Sequence, residues 1–112
     1  MALHNLAKMT TATVGTGTIT LGSAASGFLT FAQSGVVDQE TVSYGIFDPV
    51  ALASEAGHGV YSASGTTLTR TVSASTNAGS PISLSGSAIV VLSALASDVD
   101  VHQIWYAQGL IF

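Results

Sequence analysis

The chain has no cysteine. Neither a disulfide framework nor a thiolate metal site can form, and cysteine usage leaves the redox compartment open. Cations are almost as scarce: Lys8 and Arg70 are the whole supply, with a formal net charge of -4. A polyphosphate backbone is held by clustered Lys and Arg, so nucleic acid is not an expected partner. Charged residues make up 7% of the chain, against about 25% in an ordinary soluble domain, and mean hydropathy is +0.55. Low charge of this kind often marks a membrane protein, yet the longest apolar runs, such as AIVVL at residues 88–92, fall far short of the roughly 18 residues a spanning helix needs. No membrane partnership is expected. The first residues, MALHNLAK, lack a continuous apolar stretch, so no cleaved secretory signal is expected and the cytoplasm is the expected place of synthesis.

What is present is hydroxyl and glycine. Ser and Thr together number 28, and 12 glycines interrupt the chain at short intervals. That is the pattern of short strands joined by turns. At 112 residues the chain fits one domain, of a size that buries roughly two thirds of its unfolded surface. Strands are expected at residues 12–21, 27–32, 41–47, 59–63, 66–73, 82–84 and 87–95, with turns at GSAASG, QSGVVDQE, ASG, STNAGSP and LSGS. The fold class is all-β: a single-domain antiparallel β-sandwich or small barrel of about seven strands. Within DPVALASEAGHG, good helix formers follow a proline, leaving room for a short helical turn near residues 50–56. The β-domain is placed at residues 1–96, with 97–112 as a C-terminal arm or last strand.

The stretch YSASGTTLTRTV sets the only arginine among threonines. Strand alternation puts Leu68, Arg70 and Val72 on one face and Thr67, Thr69 and Thr71 on the other. Threonine suits the pleat, and cross-strand Thr pairs contribute roughly 0.2–1 kcal/mol each. A face of this kind stays wettable without charge. Thr16, Thr18 and Thr20 repeat the device, whereas both parities of SAIVVLSAL are apolar, as in a strand covered on both sides.

Few residues can carry chemistry. DVDVH sets Asp98, Asp100 and His102 on one face of an extended segment, about 7 Å apart in sequence, where oxygen and imidazole ligands could close on a metal. A solvated or interfacial strand face, pairing with Arg70, is the preferred account, and no metal or cofactor is expected. Glu55 and His58 would meet only on a helix, and His4 has no obvious partner. Gly15, Gly17 and Gly22 do not have the dinucleotide-binding spacing, no phosphate-binding loop is present, and no serine is framed as a nucleophile elbow. Asp38 with Glu40, or Asp98 with Asp100, would be neighbours along the chain rather than opposed across a cleft. No enzyme activity is expected.

Residues 9–46 (MTTATVGTGTITLGSAASGFLTFAQSGVVDQETVSYGI) and residues 59–95 (GVYSASGTTLTRTVSASTNAGSPISLSGSAIVVLSAL) resemble a small β-domain that recurs in structural proteins of tailed bacteriophages and prophages. The likeness is carried most specifically by TATVGTGTITLGSA, GVYSASGTTLTRTV and STNAGSPISLSGSA. It implies a non-enzymatic virion component, found alone or as a module of tail and fibre proteins. The chain departs from the pattern where Pro49 follows Asp48, in place of an Asp-Gly turn; Glu55, Gly57, Gly59 and Tyr61 keep the rest of the motif.

Physics and resemblance together lead to a capsid decoration (cement) protein, in the virion after assembly and the host cytoplasm before it. Its expected partners are the major capsid protein or other virion proteins, and copies of itself, a trimer being favoured. Interface cores are depleted in charge and enriched in aromatic anchors. The expected contacts are Arg70 as a pairing cation and Ile104, Trp105, Tyr106, Leu110, Ile111 and Phe112 as an apolar anchor. The alternative is a tail- or fibre-associated module that binds host surface through a loop at residues 47–61. The C-terminal apolar residues could equally be a last strand closing the domain's own core.

Overall fold

The computed structural model describes residues 3–96 and Asp98. Nine strands follow one another: β1 (Lys8–Thr11), β2 (Val14–Gly15), β3 (Ile19–Ala24), β4 (Thr41–Asp48), β5 (Ala53–Ser62), β6 (Thr67–Leu68), β7 (Thr71–Ser75), β8 (Leu84–Ser85) and β9 (Ile89–Leu92). The main sheet runs β4-β9-β1-β3-β6-β5-β7, and β4 also pairs with β5. Six strands therefore close into an antiparallel barrel, with β7 as an extra strand on β5 and β2–β8 as a separate two-stranded ribbon. Closure removes the unpaired edges that a lysine-poor sheet could not protect by charge. The fold is all-β, and of the two expected forms it is the barrel.

Alternation decides what the barrel holds. In β4, Val42, Tyr44, Ile46 and Asp48 point inward and are buried, while Thr41 and Phe47 are exposed. Met9, Ile19, Leu21, Leu68, Val90 and Leu92 complete the apolar interior from the other strands. The expected parity in the Thr-rich strand holds: Leu68 and the Arg70 side chain are buried, and Thr69 and Thr71 are exposed. Thr16, Thr18 and Thr20 likewise all face outward.

Several expectations change: residues 12–21 are divided between β2 and the start of β3, and residues 66–73 between β6 and β7. Residues 27–32 form no strand; only Leu29 bridges Ala7, and the segment folds as a loop whose Phe31 plugs one end of the barrel against Tyr61, ring centroids 6.0 Å apart. No helical turn forms at 50–56 either. Asp48 and Pro49 have the chemistry of a helix start, and Asp48 Oδ1 does accept hydrogen bonds from Val50 N–H and Ala51 N–H, both at 3.0 Å. At Leu52, however, φ is 54°, and the chain turns back to pair β5 with β4 over the whole length of β4. A helix there would have given up that ladder and turned Glu55 out of the core.

The inward row of β5 is Glu55, Gly57, Gly59 and Tyr61. The glycines are required by space. A Cβ on Gly57 would stand 2.1 Å from Thr71 O, and one on Gly59 2.1 Å from Thr69 O. Backbone from the β6–β7 segment thus lies directly on β5 where these side chains would be.

Candidate functional site

Three features gather the chemistry-bearing side chains: a polar cluster inside one end of the barrel, a corner at Asp98, and a groove on the outer wall.

The inner cluster begins with Arg70, whose position between β6 and β7 aims its guanidinium across the barrel end. The Nε donates to Glu55 Oε2 at 3.0 Å, and Nη2 donates to Glu55 Oε1 and to Ile82 O. Nη1 donates to Gly15 O at 3.3 Å and Gly17 O at 3.2 Å. All five guanidinium N–H groups are thereby engaged. Glu55 also accepts from Tyr44 Oη at 2.6 Å and from Ile82 N–H at 3.0 Å. Burial pushes the Glu55 carboxyl up, but Arg70, Tyr44 and the Ile82 amide outweigh it and hold the group below its ordinary range. Burial, aided by the Glu55 carboxylate, pushes the Tyr44 phenol up.

Beside it Asp48, fully buried, accepts from Ser85 N–H at 2.7 Å and Ser85 Oγ at 2.8 Å as well as from its own turn. Burial raises this carboxyl, and the hydrogen bonds from Ala51, Ser85 and Val50 more than reverse that, bringing it to about 2. The two acids tie the β4–β5 hairpin to β2, β8 and the β2–β3 turn, none of which is long enough to hold itself by ladder bonds.

Arg70 therefore pairs, but within its own domain: its side chain is 2% exposed and its acid is Glu55, not Asp98. A fully bonded, buried guanidinium is not available to a neighbouring subunit. Only the arginine's half of the pair was signalled in the sequence. An arginine on the apolar parity of a strand needs a buried carboxylate, and Glu55 heads the inward row of β5.

At the second feature Asp98 accepts from Ser43 Oγ at 2.7 Å and from Leu95 N–H at 2.8 Å. His58 Nε2 lies 3.6 Å from Asp98 Oδ1. The Leu95 amide, the Ser43 hydroxyl and His58 hold the Asp98 carboxyl below its ordinary range. Serine, histidine and aspartate meet here in the wrong order for a nucleophile, because the serine proton is directed to the carboxylate and not to the imidazole. Ser43 is also 1% exposed, leaving no access for a substrate. Asp100 and His102, the other members of the suggested metal set, lie outside the described residues, as do Ile104, Trp105, Tyr106, Leu110, Ile111 and Phe112. Among the described residues no three metal-ligating side chains cluster. Glu55 and His58 stand on opposite faces of β5. His4 does have partners: Nε2 meets Glu40 Oε2 at 2.6 Å and Nδ1 meets Ser34 O at 3.1 Å. His4 and the Val37 amide keep the Glu40 carboxyl low.

The third feature is an open groove of about 400 Å3 on the outer wall, lined by Lys8, Gly45, Phe47, Ser54, Ile89 and Val91. It exists because β9 is apolar on both parities: Val90 and Leu92 fill the core, and Ile89 and Val91 face out beside the half-exposed Phe47. The loop at residues 47–61 that was expected to make contacts is mostly strand, and only the turn carrying Val50 and Leu52 projects.

No family model, curated protein or solved structure matches this chain.

Proposed function

We propose that this chain is a non-enzymatic structural protein of a tailed-phage virion, most specifically a capsid decoration protein that packs on the major capsid protein and on copies of itself. The observation that carries the proposal is the character of the outer surface. Of the two cations, Arg70 is buried and Lys8 Nζ lies 4.7 Å over the Phe28 ring. Exposed threonines and serines cover much of the described surface, together with Val14, Val37, Phe47, Val50 and Leu52 and with one exposed acid, Asp38. Desolvating charge is costly at every contact of a repeated lattice, while hydroxyls and scattered apolar groups pack at little cost. A wall of this kind suits contact with protein.

The acids support the same reading. Asp38 accepts from Ala63 N–H, and Glu40, Asp48, Glu55 and Asp98 all accept bonds that hold the fold together. Each described carboxylate acts as a brace, and none faces a second acid across a cleft. In the assembled particle the C-terminal residues Ile104, Trp105, Tyr106, Leu110, Ile111 and Phe112 add apolar contacts.

Immunogold labelling of intact virions with antibody to this chain tests the proposal. Gold distributed over heads is the expected result. Gold confined to tails or fibres would replace decoration by host adsorption, and virions carrying no label would remove the structural reading altogether.

A further inference from the structure

Each ring nitrogen of His4 faces an oxygen that can only accept a hydrogen bond. Nε2 stands 2.6 Å from Glu40 Oε2, and Nδ1 stands 3.1 Å from Ser34 O. A neutral imidazole carries one N–H and one lone pair, so it satisfies one of these contacts and sets its lone pair against the other oxygen. The imidazolium has two N–H groups and satisfies both. We propose that His4 is the bolt of a pH-sensitive latch: its imidazolium ties residues 3–5 to the loop of residues 34–40 at the plugged end of the barrel, and loss of one ring proton frees that segment.

The two partners are held in place from both sides. Their side chains are 13% and 15% exposed, which limits the water that could replace either one. Gly35 backbone lies against the ring, where a Cβ would stand 3.6 Å from Nδ1. The second oxygen of Glu40 accepts from Val37 N–H at 2.9 Å, which aims Oε2 at His4. His4 and the Val37 amide keep the Glu40 carboxyl low, with the charge of the amino terminus adding in the same direction. The acid therefore stays ionised throughout the range, roughly pH 5 to 8, in which imidazoles change charge. The latch is closed on the acid side of that range and opens as pH rises. No other charged side chain among the described residues bonds to the pair: Asp38 turns to Ala63 N–H, Lys8 Nζ lies over the Phe28 ring, His58 is set against Asp98, and Asp48, Glu55 and Arg70 are engaged at the other end. Both segments also carry backbone strain. Leu6, two residues after His4, has φ 65°, and Gln39, next to Glu40, has φ 66°; such conformations persist where neighbouring contacts hold them. Release stops at Leu6, whose carbonyl accepts from Leu29 N–H at 2.8 Å. The latch is a property of the chain itself and does not depend on the virion reading.

Nuclear magnetic resonance on the full chain tests it. At about pH 5 both ring nitrogens of His4 are expected to show the shifts of protonated nitrogen, with backbone order parameters of about 0.85 for residues 3–5; at about pH 8 one nitrogen has lost its proton and the order parameters fall below about 0.6. Glu40→Gln is expected to reverse the sign. Its carboxamide oxygen can still accept from Val37 N–H while its NH2 group faces Nε2, which fits the neutral ring with its proton on Nδ1, so the segment is ordered at about pH 8 and mobile at about pH 5. His4→Ala is expected to leave residues 3–5 mobile at both. Equal order at both pH values in the wild type would overturn the proposal. So would a pH response that survives in His4→Ala, which would belong to another histidine, or one unchanged in Glu40→Gln.

Discussion

The two ends of the barrel are closed by opposite means. At one end the loop of residues 25–40 inserts Phe31, fully buried, against Tyr61, with Val36 beside it. At the other, Arg70, Glu55, Tyr44 and Asp48 close the interior with a bonded polar cluster. The apolar plug is non-directional and tolerates small shifts. The polar cluster is directional, and it sits where the chain supplies only two-residue strands, β2 and β8. Short elements with few ladder bonds need fixed distances from elsewhere, and a guanidinium with five donors reaches three segments at once. A protein with two cations has placed one of them where geometry, not solubility, is at stake.

Breaking the polar end should cost most. Glu55→Ala leaves Arg70 charged and buried without its acid, and a loss of about 3–5 kcal/mol is expected in urea unfolding. The double variant Glu55→Met with Arg70→Met should lose less than Glu55→Ala, because a pair replaced together leaves no orphaned charge; a double variant that is worse would show that the bonds to Gly15, Gly17 and Ile82 matter more than the pair. At the plug, Phe31→Ala is expected to cost about 3–4 kcal/mol through the cavity it leaves, and hydrogen exchange should rise first around residues 25–40. Tyr44→Phe removes one hydrogen bond to a charged acceptor, an expected loss of about 1.5–3 kcal/mol.

Acid separates the ends without mutation. Asp48 titrates at about 2 in the fold, and Glu55 lies below its ordinary range. Depressed carboxyls bind protons more readily in the unfolded chain, so their stabilisation is complete above the unfolded pKa of roughly 4 and is lost as pH falls toward their folded values. Amides of β8 and the β4–β5 turn should lose exchange protection between about pH 4 and 2, while in residues 25–40 the loss should be confined to Val37, whose amide is held by Glu40, and spare the amides near Phe31. Equal loss at both ends would erase the contrast. The smallest effect is expected on the outer wall, where Thr18→Val should move stability by no more than about 0.5 kcal/mol.

Much of this was legible in the sequence. The parity of residues 67–72 set Leu68 and Arg70 on the face opposite the threonines, whereas the two-sided apolar character of β9 suggested a strand covered on both sides, and its outer parity, Ile89 and Val91, lines an open groove. Residues 48–56 misled because Asp48 and Pro49 satisfy backbone amides at the start of a turn in the same way as at the start of a helix. Phe31 misled because an apolar run in a loop that plugs a barrel has the composition of a strand without its pairing. Arg70 reads as an interface cation in the sequence because its partner, Glu55, stands fifteen residues away on β5, a strand whose sequence reads as a loop.

The sequence by itself determined an all-β domain of short strands, the outward side of its threonine-rich stretches, and a surface of hydroxyls with almost no cation. These follow from local period and composition, which a single strand expresses alone. Closure into a six-stranded barrel, the union of Arg70 with Glu55, the choice of strand over helix after Pro49, and the outer groove beside Asp98 were decided only by the tertiary structure. Each depends on a ladder or a hydrogen bond between residues far apart in the chain, and such contacts exist only once the backbone has been brought round to meet itself.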